Sequence, residues 1–388
     1  MELQDVEFDE IDETKKNKEN AYQAFCEEDD KPVRKKRGGK GILITSVVLF
    51  LLSATILSVV VLCMVSGDKI KDLLKKNEPV DPEPVEVTYT QTQVDQMLSD
   101  AVNETYEKTV TSVREEMTGT LRDASEKESG VLMLLREYFP NEVTFINGSK
   151  YEFYPIYSEL KPNTIVNENL YKDEETGYFS YSEDGNEVTS HLCIDVSSFQ
   201  GNINWNSVKN AGVDYVFIRC AIRGYGSGKI VEDSAFKTNV EGALKAGLKV
   251  GVYFFTAAVS PEEAQEEAAF VLDLIAPYKI ELPIVYDIEE IQDKARTDDL
   301  TNEQRTDNVI AFCDTVRNAG YVPMIYSNLR FFIKQLEIQR LGDYEKWYAL
   351  YNDSIYFPYE IAVWQYSNNG KVEGINTGVD LNVMFKEW

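Results

Sequence analysis

Two acids carry the chemistry that this sequence could do. In residues 283–290, PIVYDIEE, a short apolar run ends in Asp287 and Glu289. Their i, i+2 spacing places both side chains on one face of a strand. Burying an ionised carboxylate costs several kcal/mol of hydration, so acids at the end of a buried strand need a reason to be there. A pair of carboxylates is also the minimum equipment for acid/base work on a glycosidic or phosphate ester bond. Taken alone, the pair could equally be two solvated acids at a strand end.

The rest of the composition narrows the choice. His191 is the only histidine, which removes HExxH zinc sites, and removes Ser/His/Asp triads and Cys/His dyads as well unless His191 serves alone. The five cysteines, at 26, 63, 193, 220 and 313, form no CxxC pair and read as buried small hydrophobes. No cofactor or metal site is therefore expected. Acidic residues outnumber basic ones 66 to 39, so nucleic acid is not an expected partner.

The elements that would position the two acids follow from a pass along the 388 residues. Residues 1–40 begin with an acidic tail and end in KPVRKKRGGK, followed by an uncharged run at 41–66. As a helix that run would be roughly 39 Å long, enough to cross a bilayer with some tilt. The basic flank predicts a cytoplasmic N-terminus and an external remainder, on the cell membrane. Residues 67–87 contain the Pro-rich spacer NEPVDPEPVE. Residues 88–139 read as a helical stalk with an imperfect heptad, Val110, Met117, Ala124, Val131 and Tyr138 at one position and Tyr106, Val113, Thr120, Lys127 and Leu134 at the other. Such a seam predicts at most a weak homodimer. Residues 140–190 alternate aromatic and polar residues and read as a small β-rich annex.

From residue 191 to 388 strands alternate with helices. Eight strand-like runs are separated, at first, by five helical stretches, and NAG or KAG endings supply glycine C-caps. The expected fold class is α/β, a β/α barrel of eight strands and about five helices, preceded by the single transmembrane helix, the stalk and the annex. Active sites of such barrels lie at the carboxyl ends of the strands. Asp195, Asp287, Glu289, Tyr253, Tyr326, Tyr351 and Tyr366 fall at or near those ends.

These motifs resemble glycoside hydrolase family 25, the lysozymes that cleave peptidoglycan between N-acetylmuramic acid and N-acetylglucosamine. The resemblance rests on DVSSFQG at 195–201 followed by Trp205, DIE at 287–289, Tyr326-Ser327, Trp347-x-Ala349-x-Tyr351, WQYS at 364–367 and GVDLN at 378–382. It covers residues 192–388. One departure is Tyr253-Phe254-Phe255, where the family often carries a histidine. The resemblance implies a membrane-anchored muramidase acting on peptidoglycan glycan strands. Glu289 would be the general acid, Asp287 an ionised carboxylate supporting the oxocarbenium-like charge or the acetamido group, and Asp195 and Asp380 the rest of an acidic floor. Glu290 would face away. Tyr253, Phe255, Tyr326, Trp347, Tyr351, Trp364 and Tyr366 are the candidate sugar contacts. Two other readings share the same residues: a catalytically silent peptidoglycan-binding barrel, and a metal-dependent phosphodiesterase.

Overall fold

The computed structural model describes residues 88–388 except 128, 186, 292 and 293. The expected tail, transmembrane span and spacer, residues 1–87, lie outside the described residues. Among the described residues no helix is long and apolar enough to cross a membrane.

Helix α1 (Gln91–Ser125) opens on a local cap: the Gln93 amide donates to Thr90 Oγ1 at 3.3 Å and the Thr90 amide to Gln93 Oε1 at 2.9 Å. Polar i, i+4 pairs such as Glu104–Lys108, at 2.6 Å, line it, while Leu98, Val102, Tyr106 and Met117 are exposed. The helical stretch is in two pieces. Turn residues 126, 127 and 129 stand between α1 and α2 (Gly130–Tyr138), and Lys127, a heptad position, is among them. The turn is so tight that a Cβ on Gly130 would lie 2.3 Å from the Ala124 carbonyl oxygen. The second piece buries Leu132 and Leu134 and packs on β1 (Glu142–Asn147), so its apolar face serves the fold rather than a continued seam.

Hairpin β1/β2 (β2, Lys150–Pro155) and the small pair β3 (Leu170–Lys172) and β4 (Phe179–Tyr181) make up the β-rich annex. The barrel follows: β5 (His191–Val196), α3 (Trp205–Asn210), β6 (Tyr215–Arg223), a short added strand β7 (Ile230–Glu232), α4 (Phe236–Lys245), β8 (Lys249–Phe255), α5 (Pro261–Ile275), β9 (Ile284–Asp287), α6 (Asn302–Asn318), β10 (Pro323–Asn328), β11 (Glu345–Ala349), β12 (Val363–Gly370) and β13 (Val379–Met384). Neighbours run β5-β13-β12-β11-β10-β9-β8-β6, and β5 also pairs with β6, closing eight strands into a ring. All neighbours are parallel except β13, which is antiparallel to both β12 and β5. The fifth expected helix, at 329–338, is only a π turn (Phe331–Gln335) followed by a 3-10 turn (Ile338–Leu341).

Alternation along the strands sorts the core into two layers. Inside the ring lie Cys193, Tyr215, Phe217, Val285, Met324, Trp347, Val363 and Met384. Gly251 makes room there, because a Cβ on it would sit 2.4 Å from the Phe217 ring. Outside, Ile194, Val216, Val252, Ile284 and Ile325 belong to the layer that faces the helices. Where the last crossovers carry no helix, the annex covers the strands instead. Leu160, Phe179 and Tyr181 belong to the same buried cluster as the outer face of the barrel, with Phe179 5.2 Å from Trp364 and 5.0 Å from Tyr366, ring to ring. Buried Cys193, Cys220 and Cys313 are free thiols, pushed above the usual range chiefly by burial.

Candidate active site

The acids converge at one mouth of the ring, Asp195 and Asp287 from the carboxyl ends of β5 and β9 and Asp380 from the amino end of the antiparallel β13. Asp195 on β5 and Asp380 on β13 are register partners, and Asp287 is the last residue of β9, opposite Phe255 on β8 and Tyr326 on β10. All three aspartates are at least nine-tenths buried. Strand pairing stops at Asp287, so Glu289 sits in the loop rather than on the strand, half-buried, while Glu290 is exposed and 3.5 Å from Arg330. Along β9 alternation turns Val285 to the ring interior and Ile284 and Tyr286 to the helices, and Ile288, just past the strand, stays on the helix side.

Two buried amides that sequence reasoning missed organise the floor. Gln365 Nε2 and Asn382 Nδ2 both donate to Asp195 Oδ2, each at 2.9 Å. Gln365 Oε1 in turn accepts from the Tyr326 hydroxyl at 2.7 Å and the Tyr351 hydroxyl at 3.0 Å. Asn382 Oδ1 accepts from Trp347 Nε1 at 2.7 Å. Amide donors on a carboxylate favour its ionised form, which can only accept. The signal was present in WQYS and GVDLN: a period of two puts Gln365 inside when Trp364 is outside, and Asn382 on the face of Asp380.

The candidate aromatics divide. Tyr253 lies inside the ring, and its hydroxyl is held well above the usual phenol range by burial and by Asp195, Asp287 and Asp380, against the pull of Arg219. Tyr326 and Tyr351 reach the floor through Gln365, and Phe255 borders it within a small cluster with Ala257 and Ile291. Trp347 is 1% exposed and stacks on Phe217 at 4.7 Å, so it plugs the ring beneath the acids instead of lining a cleft. Trp364 and Tyr366 face outward. The Trp364 indole donates to the Leu350 carbonyl at 2.8 Å, and the Tyr366 hydroxyl accepts from the Phe179 amide at 3.3 Å. These two serve the annex contact and do not meet the acids, because their strand presents Gln365 to the interior.

Further polar groups brace the rim. Arg219 Nε bonds Asp233 at 2.8 Å, and the same carboxylate accepts from the Ser198 amide, tying the loop after β5 to β6. Behind β8, Thr256 Oγ1 is hydrogen-bonded to Glu267 at 2.8 Å, and Glu267 to Arg223 at 2.6 Å. Burial pushes the Glu267 carboxyl up to about 7 in spite of these partners.

Residues 194–375 match the model of the glycosyl hydrolases family 25. The autolytic lysozyme of Clostridium acetobutylicum is 29% identical over 195 residues, 49% of this chain and 54% of that protein; the chain thus spans about half the length of this relative. The uncharacterized protein YegX of Escherichia coli K12 is 28% identical over 197 residues, 49% of this chain and 68% of that one. Among solved structures, the bacterial lysozyme from Streptomyces coelicolor is 26% identical, covers 51% of this chain and 93% of its own, and superimposes with a TM-score of 0.43. The match to the family 25 model at residues 194–375 thus falls on the eight-stranded ring and ends just before its last strand, β13.

Proposed function

We propose that this chain is a muramidase that hydrolyses the β-1,4 bond between N-acetylmuramic acid and N-acetylglucosamine in peptidoglycan. The observation that carries the reading is Glu289, half-buried in the loop two residues beyond Asp287, above a floor of buried aspartates. Glu289 would donate a proton to the leaving glycosidic oxygen. Asp287 would remain ionised and support positive charge developing at the sugar, with Asp195 and Asp380 completing the acidic floor. Tyr253, Tyr326 and Tyr351 offer ring faces and hydroxyls to a sugar.

The family match and the similarity to an autolytic lysozyme support this reading. The test is mass spectrometry of muropeptides released by the full-length chain in detergent. New reducing ends at N-acetylmuramic acid are expected. Sedimentation with peptidoglycan but no release would leave a silent binding barrel, and loss of activity on chelation would favour a metal-dependent phosphodiesterase.

The setting belongs to the same proposal. The uncharged run at 41–66 and its basic flank support a single-pass anchor in the cell membrane with the barrel outside. Protease added to intact protoplasts should then digest the C-terminal part, and protection of that part would overturn the orientation. The exposed apolar residues of α1 leave room for a weak homodimer; a concentration-independent monomer in analytical ultracentrifugation would dismiss it.

A further inference from the structure

We infer that Ser327 is a positioning residue for Glu289, an inference that rests on the proposed role of Glu289 as general acid. Residue pairing between β9 and β10 ends with Asp287 opposite Tyr326. Glu289 therefore lies beyond the regular ladder, where the backbone alone does not dictate the direction of a side chain. Two bonds from β10 extend the order by one residue. The Ile288 amide donates to the Tyr326 carbonyl at 3.2 Å, and the Ile288 carbonyl accepts from the Ser327 hydroxyl at 2.7 Å. From the other side, the Thr256 amide donates to the Asp287 carbonyl at 3.0 Å.

The consequence is geometric. The Ile288 carbonyl and the Glu289 amide share one planar peptide unit. Anchoring that carbonyl fixes the plane from which the Glu289 side chain departs. Ser327 is 0% exposed, so no water can stand in for it freely, and removing the hydroxyl frees the plane to rotate. Tyr326, its neighbour, takes the position facing the ring interior. Ser327 thus acts on the reaction through Glu289 and not by touching a glycan. Preorganisation of this kind matters because a small displacement of a catalytic group from its productive geometry costs rate more than affinity.

A hydroxyl that only completes a buried hydrogen bond would leave a different trace, and leaving-group dependence separates the two. The full-length chain in detergent would be assayed on a peptidoglycan glycan fragment, whose leaving oxygen must be protonated, and on an aryl glycoside of the corresponding saccharide, whose phenolate departs without a proton. Ser327→Ala is expected to lower kcat on the glycan about 10- to 100-fold with KM nearly unchanged, while the aryl glycoside loses less than about threefold. Ser327→Cys keeps the shape with a weaker donor and should fall between wild type and Ala; it reads the same ratio if the Ala variant does not fold. Glu289→Gln is the control and should show the same bias more strongly. Equal loss on both substrates in Glu289→Gln would overturn the general-acid reading. That bias in Glu289→Gln combined with equal loss, or none, in the Ser327 variants would overturn the positioning role alone.

Discussion

Gln365 Nε2 donates to Asp195 Oδ2 at 2.9 Å, and the same side chain accepts from the hydroxyls of Tyr326 and Tyr351. One amide thereby connects a carboxylate on β5 with two phenols reaching in from β10 and from the loop after β11. With its nitrogen committed to the carboxylate, its oxygen must face the two tyrosines, so the orientation of the amide is determined by its partners.

Gln365→Leu should for this reason disturb three site residues at once. The leucine has similar bulk but removes one donor from Asp195 and one hydrogen bond from each phenol. Each hydrogen bond lost costs about 0.5–1.5 kcal/mol. We expect a lowered midpoint of thermal unfolding and at least a tenfold fall in kcat/KM on peptidoglycan. A variant with wild-type turnover would show that the amide is only filler between Trp364 and Tyr366.

Two aromatic substitutions should separate the tyrosine on the floor from the tryptophan behind it. Tyr326→Phe removes a hydroxyl that bonds Gln365 at 2.7 Å, and should lower turnover with a loss of stability of about 1 kcal/mol. Trp364→Phe sits outside the ring beside Phe179, so it should lower the unfolding midpoint and leave kcat and KM nearly unchanged. A raised KM in Trp364→Phe would place that indole back in the cleft.

This pair also marks the limit of what the sequence made legible. The eight strands stood out because apolar runs were bounded by glycine caps, and the acids because carboxylates are conspicuous at strand ends. Inward and outward residues on a barrel strand are both apolar, since one face meets the interior and the other the helices. Aromaticity alone could not distinguish Tyr326 from Trp364 or Tyr366. Gln365 and Asn382 escaped notice because an amide has meaning only through what it touches. Ser327 escaped because its partner is a backbone carbonyl. The docking of the annex was hidden too, because the residues that it covers lie some 180 positions further along the chain, as in the Phe179–Tyr366 bond with its separation of 187.

That docking predicts that the annex is part of the barrel's stability. Phe179 is 5% exposed and contacts two rings of β12. Phe179→Ala should cost about 3–5 kcal/mol, read as a lower denaturant midpoint. Differential scanning calorimetry should show a single transition for the annex and the barrel. A separate early transition for the annex, with Phe179→Ala shifting only that one, would contradict the shared core.

A second tie between annex and barrel depends on pH. Glu152 accepts from Asn147 at 2.7 Å and from Lys334 at 2.9 Å, and these bonds, Asn147 first, lower its carboxyl to about 2. A carboxyl lowered on folding contributes stability that is present above its ordinary value near 4.5 and disappears as pH falls through about 2. Glu152→Gln should thus reduce the unfolding midpoint at pH 6 by about 2–4 °C, equivalent to about 1 kcal/mol. The gap from wild type should close between pH 4.5 and 2. A gap that stays constant over that range would mean that the charge of Glu152 is not what holds Lys334.

The stereochemical outcome follows from where the carboxylates stand. Asp287 ends β9 and Glu289 follows two residues later in the loop, whereas Asp195 and Asp380 come from β5 and β13, across the mouth of the ring. An inverting pair needs carboxyls about 6.5–9.5 Å apart with a water on the opposite face of the sugar, and a retaining pair about 5–5.5 Å. A carboxyl only two residues beyond Asp287 along the chain suits the closer arrangement, which disfavours a water held between them. We predict net retention in which the substrate's own N-acetyl oxygen attacks the anomeric carbon as Glu289 protonates the leaving oxygen, with Asp287 stabilising the charged ring that forms. Water then opens the ring, and Glu289 takes back its proton. Proton NMR of the first-formed reducing end should show the β-anomer before mutarotation. A first-formed α-anomer would exclude retention and would move the base that activates water to Asp195 or Asp380. Glu290→Gln, exposed and facing Arg330, should leave both the rate and the anomer unchanged.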